Sequence, residues 1–168
     1  RSDALIAATY RPADYPVCHA QAREWSALRP LENLTVLDAT PIFRNTLVKH
    51  RALLAAGARL IVGRATGFPC DDGIVRLLRD SGIPVVASTE APTEPVDVVL
   101  DCAASFSHWT PRVGVVELTR SGVPKYADSD AAVFVADSGR IKRIETCLGT
   151  GESYFRAMKA LGHSAWEG

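Results

Sequence analysis

An α/β domain built on a mainly parallel sheet is what the amino-acid sequence predicts, and three observations predict it. Six short runs rich in Val, Ile and Leu recur along the chain. They read as near-continuous apolar stretches rather than as alternations, which is the pattern of strands covered on both faces. Segments of helical spacing, several bounded by capping residues, separate most of these runs. The expected architecture is therefore a three-layer α/β/α domain, with helices above and below the sheet.

Each element has a local reason. Asp14 is placed to cap a helix whose inward face would carry Val17, Ala20, Trp25 and Leu28, ending before Pro30. The run LTVLDA (34–39) suits a buried strand. Thr40-Pro41 then offers an N-cap and a favoured first helical residue; Phe43, Leu47 and Leu54 share one face, and Gly57 ends the helix. ARLIVGRA (58–65) is the second strand, and Asp71 caps the helix DGIVRLLRDSG. IPVVAST (83–89), VDVVLDCA (96–103), RVGVVELT (112–119) and AAVFVADS (131–138) complete the six, with STEAPTEP (88–95) as a polar connection. No internal repeat or low-complexity tract is present. Near the end, Ile141, Ile144 and Leu148 form one apolar stripe, and Tyr154, Met158 and Leu161 a second. Gly149 and Thr150 between them read as a stop and a new N-cap, with Glu152 near the positive end, so a helix break is expected there.

Composition excludes several function classes. A chain of 168 residues suits one domain with a sizeable core. With 19 basic and 19 acidic residues, no net field draws it to nucleic acid or an anionic membrane. No apolar run reaches the roughly 18 residues that a membrane-spanning helix needs. Cys18, Cys70, Cys102 and Cys147 lie far apart, without a C-x-x-C or metal-type spacing, so buried free thiols in a reducing cytoplasm are expected. The first residues lack both the apolar core of a signal peptide and an initiator Met, which suggests a chain trimmed or cut from something longer. Gly149-Thr150-Gly151 is not a dinucleotide fingerprint, because the third glycine of G-x-G-x-x-G is missing; no Gly-Lys-Ser/Thr triplet occurs either.

In a parallel sheet, ligands sit outside the carboxyl ends of the strands. The segments to read for chemistry are thus Asp38–Asn45, Gly63–Asp72, Ser88–Thr93, Asp101–Ser107, Glu117–Ser121 and Asp137–Lys142. Read in order, their wording resembles the substrate-binding domain of S-adenosyl-L-homocysteine hydrolase. RPLENLTVLDA resembles that family's K-P-L-x-G-x-x-I entry to its first strand, and LLAAGARLIV its L-x-A-L-G-A-x-V passage. FPCDDGIVRLLRDSGIPVVASTEAPTEP resembles S-T-Q-D-D, a helix, G-I-P-V-x-A and an acidic connection. VDVVLDCAAS is similar to the strand ending in I-L-D-D-G-G, and GVVELTRSG to G-x-x-E-E-T-T-T-G. VFVADSGRIKRIETCLGTGES resembles I-N-V-N-D-S-x-x-K-x-x-F-D-N-x-Y-G-T-G-Q-S.

The resemblance implies a Rossmann-like or flavodoxin-like sheet. It also implies a division into a substrate-binding domain (1–148) and a hinge helix (149–168) leading to an NAD-binding Rossmann domain absent from this chain. It implies a small-molecule substrate, NAD as cofactor, held mainly by that further domain, and a homo-oligomer. The family chemistry oxidises a ribose 3′-hydroxyl with NAD, eliminates homocysteine, adds water and reduces the product. The site residues depart from the family pattern. His-x-Thr-x-Glu is replaced by Pro41-Ile42-Phe43-Arg44-Asn45, and Pro41 cannot transfer a proton. Asp-Asp becomes Asp101-Cys102, and the second Glu of the Glu-Glu-Thr-Thr-Thr run is lost in Glu117-Leu118-Thr119-Arg120-Ser121. The family Lys falls on Ile141, with Lys142 one position along, and Asp-Asn becomes Glu145-Thr146.

The candidate acid/base groups are accordingly Asp101, Lys142, Glu145 and His108. Each has a second reading: Asp101 as a cap, Lys142 and Glu145 as solvent-facing helix residues, His108 as a packed surface histidine. Thr119 and Thr146 are the candidates for cofactor contact, and Phe43, Asn45 and Glu117 for substrate contact. Cys102 reads as small filler, and Asp71-Asp72 as a helix start rather than a metal site. His19, His50 and His163 are not site candidates. The expected function is an NAD-dependent oxidoreductase acting on a different hydroxylated metabolite. The alternatives are a divergent adenosylhomocysteine hydrolase and a non-catalytic binding or regulatory homologue.

Overall fold

The computed structural model describes residues 2–163. Two helices lead in, α1 (Ser2–Thr9) and α2 (Pro16–Leu28), joined by a short 3-10 turn at Pro12–Asp14. The sheet strands are β1 (Thr35–Asp38), β2 (Arg59–Arg64), β3 (Val85–Ala87), β4 (Val98–Asp101), β5 (Gly114–Glu117) and β6 (Ala132–Val135). Helix α3 (Thr46–Ala55) joins β1 to β2, and α4 (Asp72–Asp80) joins β2 to β3. All five strand pairings are parallel, in the order β3-β2-β1-β4-β5-β6. The expected parallel sheet flanked by helices is therefore the fold, and it closes with a C-terminal helix.

The central strand β1 is buried along its whole length, as its neighbours on both sides require. Its side chains divide the core in two. On one face Val36 meets Ile6 of α1, Leu47, Val48 and Leu53 of α3, and Ile74, Val75 and Leu78 of α4. On the other, Leu37 packs with Ile61, Val99 and Val115 against Phe106, Trp109 and Tyr126, which come from connecting segments. Full burial of each large aliphatic side chain contributes about 1.5–3 kcal/mol. Phe106 lies so close to β2 that a Cβ at Gly63 would come within 2.7 Å of its ring. At the amino ends of the strands, Asp97 accepts from Thr35 N (2.8 Å) and from Nε of Arg112 (2.7 Å), tying β1 to the β4–β5 connection. The Arg112 guanidinium holds the Asp97 carboxyl below its ordinary range.

Several local expectations change. The first long helix starts at Pro16, not after Asp14, because the Asp14 carboxylate is engaged with Arg11 across the 3-10 turn. Of the expected inward residues Trp25 is half-buried, whereas Val17, Ala20 and Leu28 are exposed, and Cys18 and Ala22 are half-buried in their place. Thr40 does not cap α3; its hydroxyl turns back to Asp38, and the helix begins only at Thr46, leaving Phe43 exposed. Asp71 caps α4 as expected, accepting from Gly73 N (2.8 Å) and Ile74 N (3.2 Å). Cys102 is buried, Cys18 and Cys70 are half-buried and Cys147 is exposed; all four thiols are free. Among the described residues, no helix is long and apolar enough to cross a membrane.

The expected helix break near Gly149 is absent. Helix α5 (Arg140–Ile144) passes through a π-helical turn at Glu145–Gly149 into α6 (Thr150–Ala160). Gly149 keeps right-handed helical angles (φ −68°, ψ −41°), so the backbone continues through the π turn without a stop. No residue of α5 or α6 is buried. The hinge reading covers 149–168, of which 164–168 lie outside the described residues.

Candidate functional site

The strand order reverses between β1 and β4, and the carboxyl ends of these strands, with that of β5, define the place where a parallel sheet exposes a crevice. Three carboxylates stand at those ends: Asp38 on β1, Asp101 on β4 and Glu117 on β5, each fully buried. Each is saturated with hydrogen bonds, which is what a buried anion requires.

Asp38 accepts from the Thr40 hydroxyl (2.8 Å), from Lys49 Nζ (2.7 and 2.9 Å) and from His50 Nε2 (2.9 Å). Helix α3 sets this up, because Lys49 and His50 both fall in its middle turn, above the end of β1. Burial by itself raises the Asp38 carboxyl, but the hydrogen bond from His50 and the charge of Lys49 outweigh it and hold the group well below the ordinary carboxylate range. Lys49 Nζ also donates to Thr40 Oγ1 at 2.5 Å.

Asp101 accepts from the backbone N–H groups of Cys102, Ser105 and Phe106, from the Ser105 hydroxyl (2.8 Å) and from Tyr126 Oη (2.5 Å). Burial, then the bond to Asp101, push the Tyr126 phenol far up, so it serves as a donor throughout the physiological range. Glu117 accepts from Ala103 N and Ala104 N (3.0 Å each) and from Thr119 N and Oγ1 (2.7 Å each). Ala103 and Ala104 hold φ of 55° and 51°, left-handed values that cost about 1–2 kcal/mol for a residue with a Cβ. Their two N–H groups are thereby turned onto the carboxylate. Gly122 closes the other side: a Cβ there would sit 2.4 Å from the Glu117 carboxyl carbon. Cys102 sits among these anions, and burial, then the charges of Glu117 and Asp101, push its thiol up, the opposite of what a nucleophile needs.

Beside this layer, a cleft of about 370 Å³ opens between α2, the β1–α3 connection and the residue after β5. Lys49, Thr40, Asn45 and Tyr15 bring polar groups to it, and Phe43, Val48 and Leu118 make its apolar wall. The arrangement can orient a small, largely apolar molecule bearing a hydroxyl: the Asn45 amide supplies a polar contact and an aromatic ring a flat surface, whereas Lys49 Nζ already gives its protons to Asp38 and Thr40.

The residues singled out in the sequence fall into separate places. Phe43 and Asn45 meet at the cleft. Asp101, Glu117 and Thr119 belong to the buried layer, where their polar atoms hold the 102–106 and 119–122 connections. His108 is exposed, stacked on Phe106 at 6.2 Å and edge-on to Trp109. Lys142 and Glu145 pair with each other at 2.7 Å on the C-terminal helix, and Thr146 donates to the same carboxylate. That pairing holds Glu145 below and Lys142 above their ordinary values. Sequence reasoning missed Asp38, Lys49, His50 and Tyr126. The available signal was the β-strand ending in Asp38 followed by Lys49-His50 one helix face later; nothing local marked Tyr126.

The first strand-to-helix turn, the usual seat of a dinucleotide pyrophosphate in this strand order, does not fit that group. It reads Asp38-Ala39-Thr40-Pro41-Ile42, with no glycine, an anion at its start and a proline lacking an N–H.

No family model matches this chain, and no curated protein is similar to it at a significant level. Among solved structures it is similar to the crystal structure of CAD from Helicobacter pylori complexed with NADP(H), with a TM-score of 0.39 and 8% identity. The match covers 82% of this chain and 43% of that one, so the chain spans less than half the length of that protein.

Proposed function

We propose that this chain is the substrate-binding domain of an NAD-dependent oxidoreductase of adenosylhomocysteinase-like build, with a changed pocket that takes a different hydroxylated metabolite. The observation that carries the reading is the cleft beside the β1–β4 reversal, where Lys49, Thr40 and Asn45 face Phe43 and Leu118. Because the turn after β1 does not suit a pyrophosphate, the nicotinamide cofactor in this proposal belongs to a domain beyond these residues. The C-terminal helix, whose Ile141, Ile144 and Leu148 are exposed, would be the connection to that domain. In the cleft, Asn45 holds a substrate hydroxyl through its amide, Phe43 stacks on the carbon skeleton, and the wall of Val48 and Leu118 limits water, while Lys49 stays committed to Asp38 and Thr40.

One observation favours a second reading, a binding domain without catalysis. Asp38, Asp101 and Glu117 are all saturated, and no carboxylate lines the cleft to act as a base. A screen of hydroxylated metabolites against the full-length protein with NAD, following melting temperature and the absorbance of reduced nicotinamide, separates the two. The oxidoreductase reading expects at least one compound that both raises the melting temperature and reduces NAD. Asn45→Ala should weaken its binding about fivefold to tenfold, the worth of one hydrogen bond. Binding without reduction supports the second reading, and no binder dependent on Asn45 or Phe43 sinks both.

A further inference from the structure

A second groove lies on the far side of the α2–α3 contact, sharing no lining residue with the cleft. Its volume is about 600 Å³. Pro12, Pro16, Ala22 and Ala55 supply apolar wall, and His19, Arg23 and Arg51 supply nitrogen donors. No Asp or Glu lines it, and Arg23 makes no ion pair among the described residues.

The hydrogen-bond pattern points to what is missing. Arg51 Nη2 contacts His19 Nδ1. Arg51 Nε, which can only donate, and His19 Nε2 are both buried, and neither has a partner among the described residues. An unanswered Arg51 N–H and a histidine nitrogen without a partner, beside the unpaired guanidinium of Arg23 and with no carboxylate in the lining, call for an acceptor bearing negative charge.

We propose that the groove between α2 and α3 binds a small organic oxyanion, a phosphate monoester or a carboxylate, with Arg51, Arg23 and His19 as its donors. The planar fork of an arginine matches the oxygen spacing of either group. The two prolines and two alanines accommodate a compact apolar body attached to the anion. Side-chain rotation of His19 and Arg51 brings the buried donors to the groove surface when the anion enters. The site lies away from the strand ends, so it is separate from the substrate cleft and from the reading given to it.

The test uses the full chain, titrated with phenyl phosphate, benzoate and inorganic phosphate, with the imidazole signals of His19 and the Nε–H signal of Arg51 followed by NMR. Phenyl phosphate or benzoate should move both sets of signals saturably, and whichever binds more tightly distinguishes the two anion classes. Inorganic phosphate, lacking the apolar body, should bind more weakly than phenyl phosphate. Arg23→Gln, at an exposed position where folding is not at risk, should weaken binding at least fivefold, whereas Asn45→Ala in the cleft should leave it unchanged. Signals of His19 that ignore all three ligands overturn the proposal, as does an Arg23→Gln protein that binds as tightly as the parent. Perturbation confined to Phe43 and Asn45 overturns it too, by placing the ligand in the other cleft.

Discussion

Strands β1 to β3 are connected by α3 and α4, and the sheet face above them is sealed by Leu47, Val48, Leu53, Ile74, Val75 and Leu78. Strands β4 to β6 are connected by turns and by a short 3-10 segment at Val123–Tyr126, with no α-helix in either crossover. The first half is held by apolar area. In the second half, Phe106, Trp109 and Tyr126 supply the apolar cover, and two buried carboxylates, Asp101 and Glu117, hold the connections that carry it by gathering the N–H groups of residues 102–106 and 119. A connection without a helix has no internal partners for its backbone, so something else must satisfy those groups once they are buried. The cost of that solution shows in the left-handed alanines at 103 and 104, and in Phe134 of the edge strand β6, which stays 64% exposed. The difference teaches that a buried acid at a strand end is not by itself a catalytic sign; here it replaces a helix.

The comparison can be broken most directly by removing one support from each half. Asp101→Ala leaves the N–H groups of Ser105 and Phe106 and the Tyr126 hydroxyl without an acceptor, and should lower stability by about 4 kcal/mol. Leu78→Ala, on the helix-covered side, opens a cavity and should cost about 3 kcal/mol. Urea denaturation reads both; an Asp101→Ala protein as stable as the parent would remove the basis for the contrast.

A smaller effect distinguishes the one acid that the helices do engage. Asp38 has its carboxyl held below the ordinary value of 3.8, so its contribution is complete above that pH and is lost as the pH falls toward the folded value. About 2 kcal/mol should therefore disappear below roughly pH 4 in the parent. Asp38→Asn should be less stable at neutral pH and show a shallower acid limb; identical acid limbs in the two proteins would mean that Lys49 and His50 do not stabilise the ionised form. The smallest effect is a gain: Ala103→Gly relieves one left-handed residue and should raise stability by about 1 kcal/mol, read as a higher denaturation midpoint. A loss would show that the Cβ of Ala103 packs usefully.

Much of the fold was legible from local signals. The six strands fall inside the runs expected for them, Asp71 caps α4, and Gly57, with φ of 90°, follows the end of α3. Where the reading slipped, two local signals competed and the one not read prevailed. Thr40 turned to Asp38 instead of capping, Asp14 turned to Arg11, and Gly149 stayed helical although its sequence context suggested a stop. Of the candidate site residues, Phe43 and Asn45 meet at the cleft, while Lys49 and His50 looked like ordinary helix positions because nothing in their own turn of the chain reveals Asp38 opposite.

The order of the six strands and the helices between β1 and β3 follow from the sequence alone, because apolar runs and helical periodicity are properties of neighbouring residues. Which carboxylates are locked, which donors are left without partners and where a cleft opens were decided only in three dimensions. Those outcomes depend on groups far apart in the chain: Asp101 with Tyr126, Glu117 with Ala103, His19 with Arg51. The free energy of a buried polar atom is set by the partner that packing brings to it, and packing is not a local property.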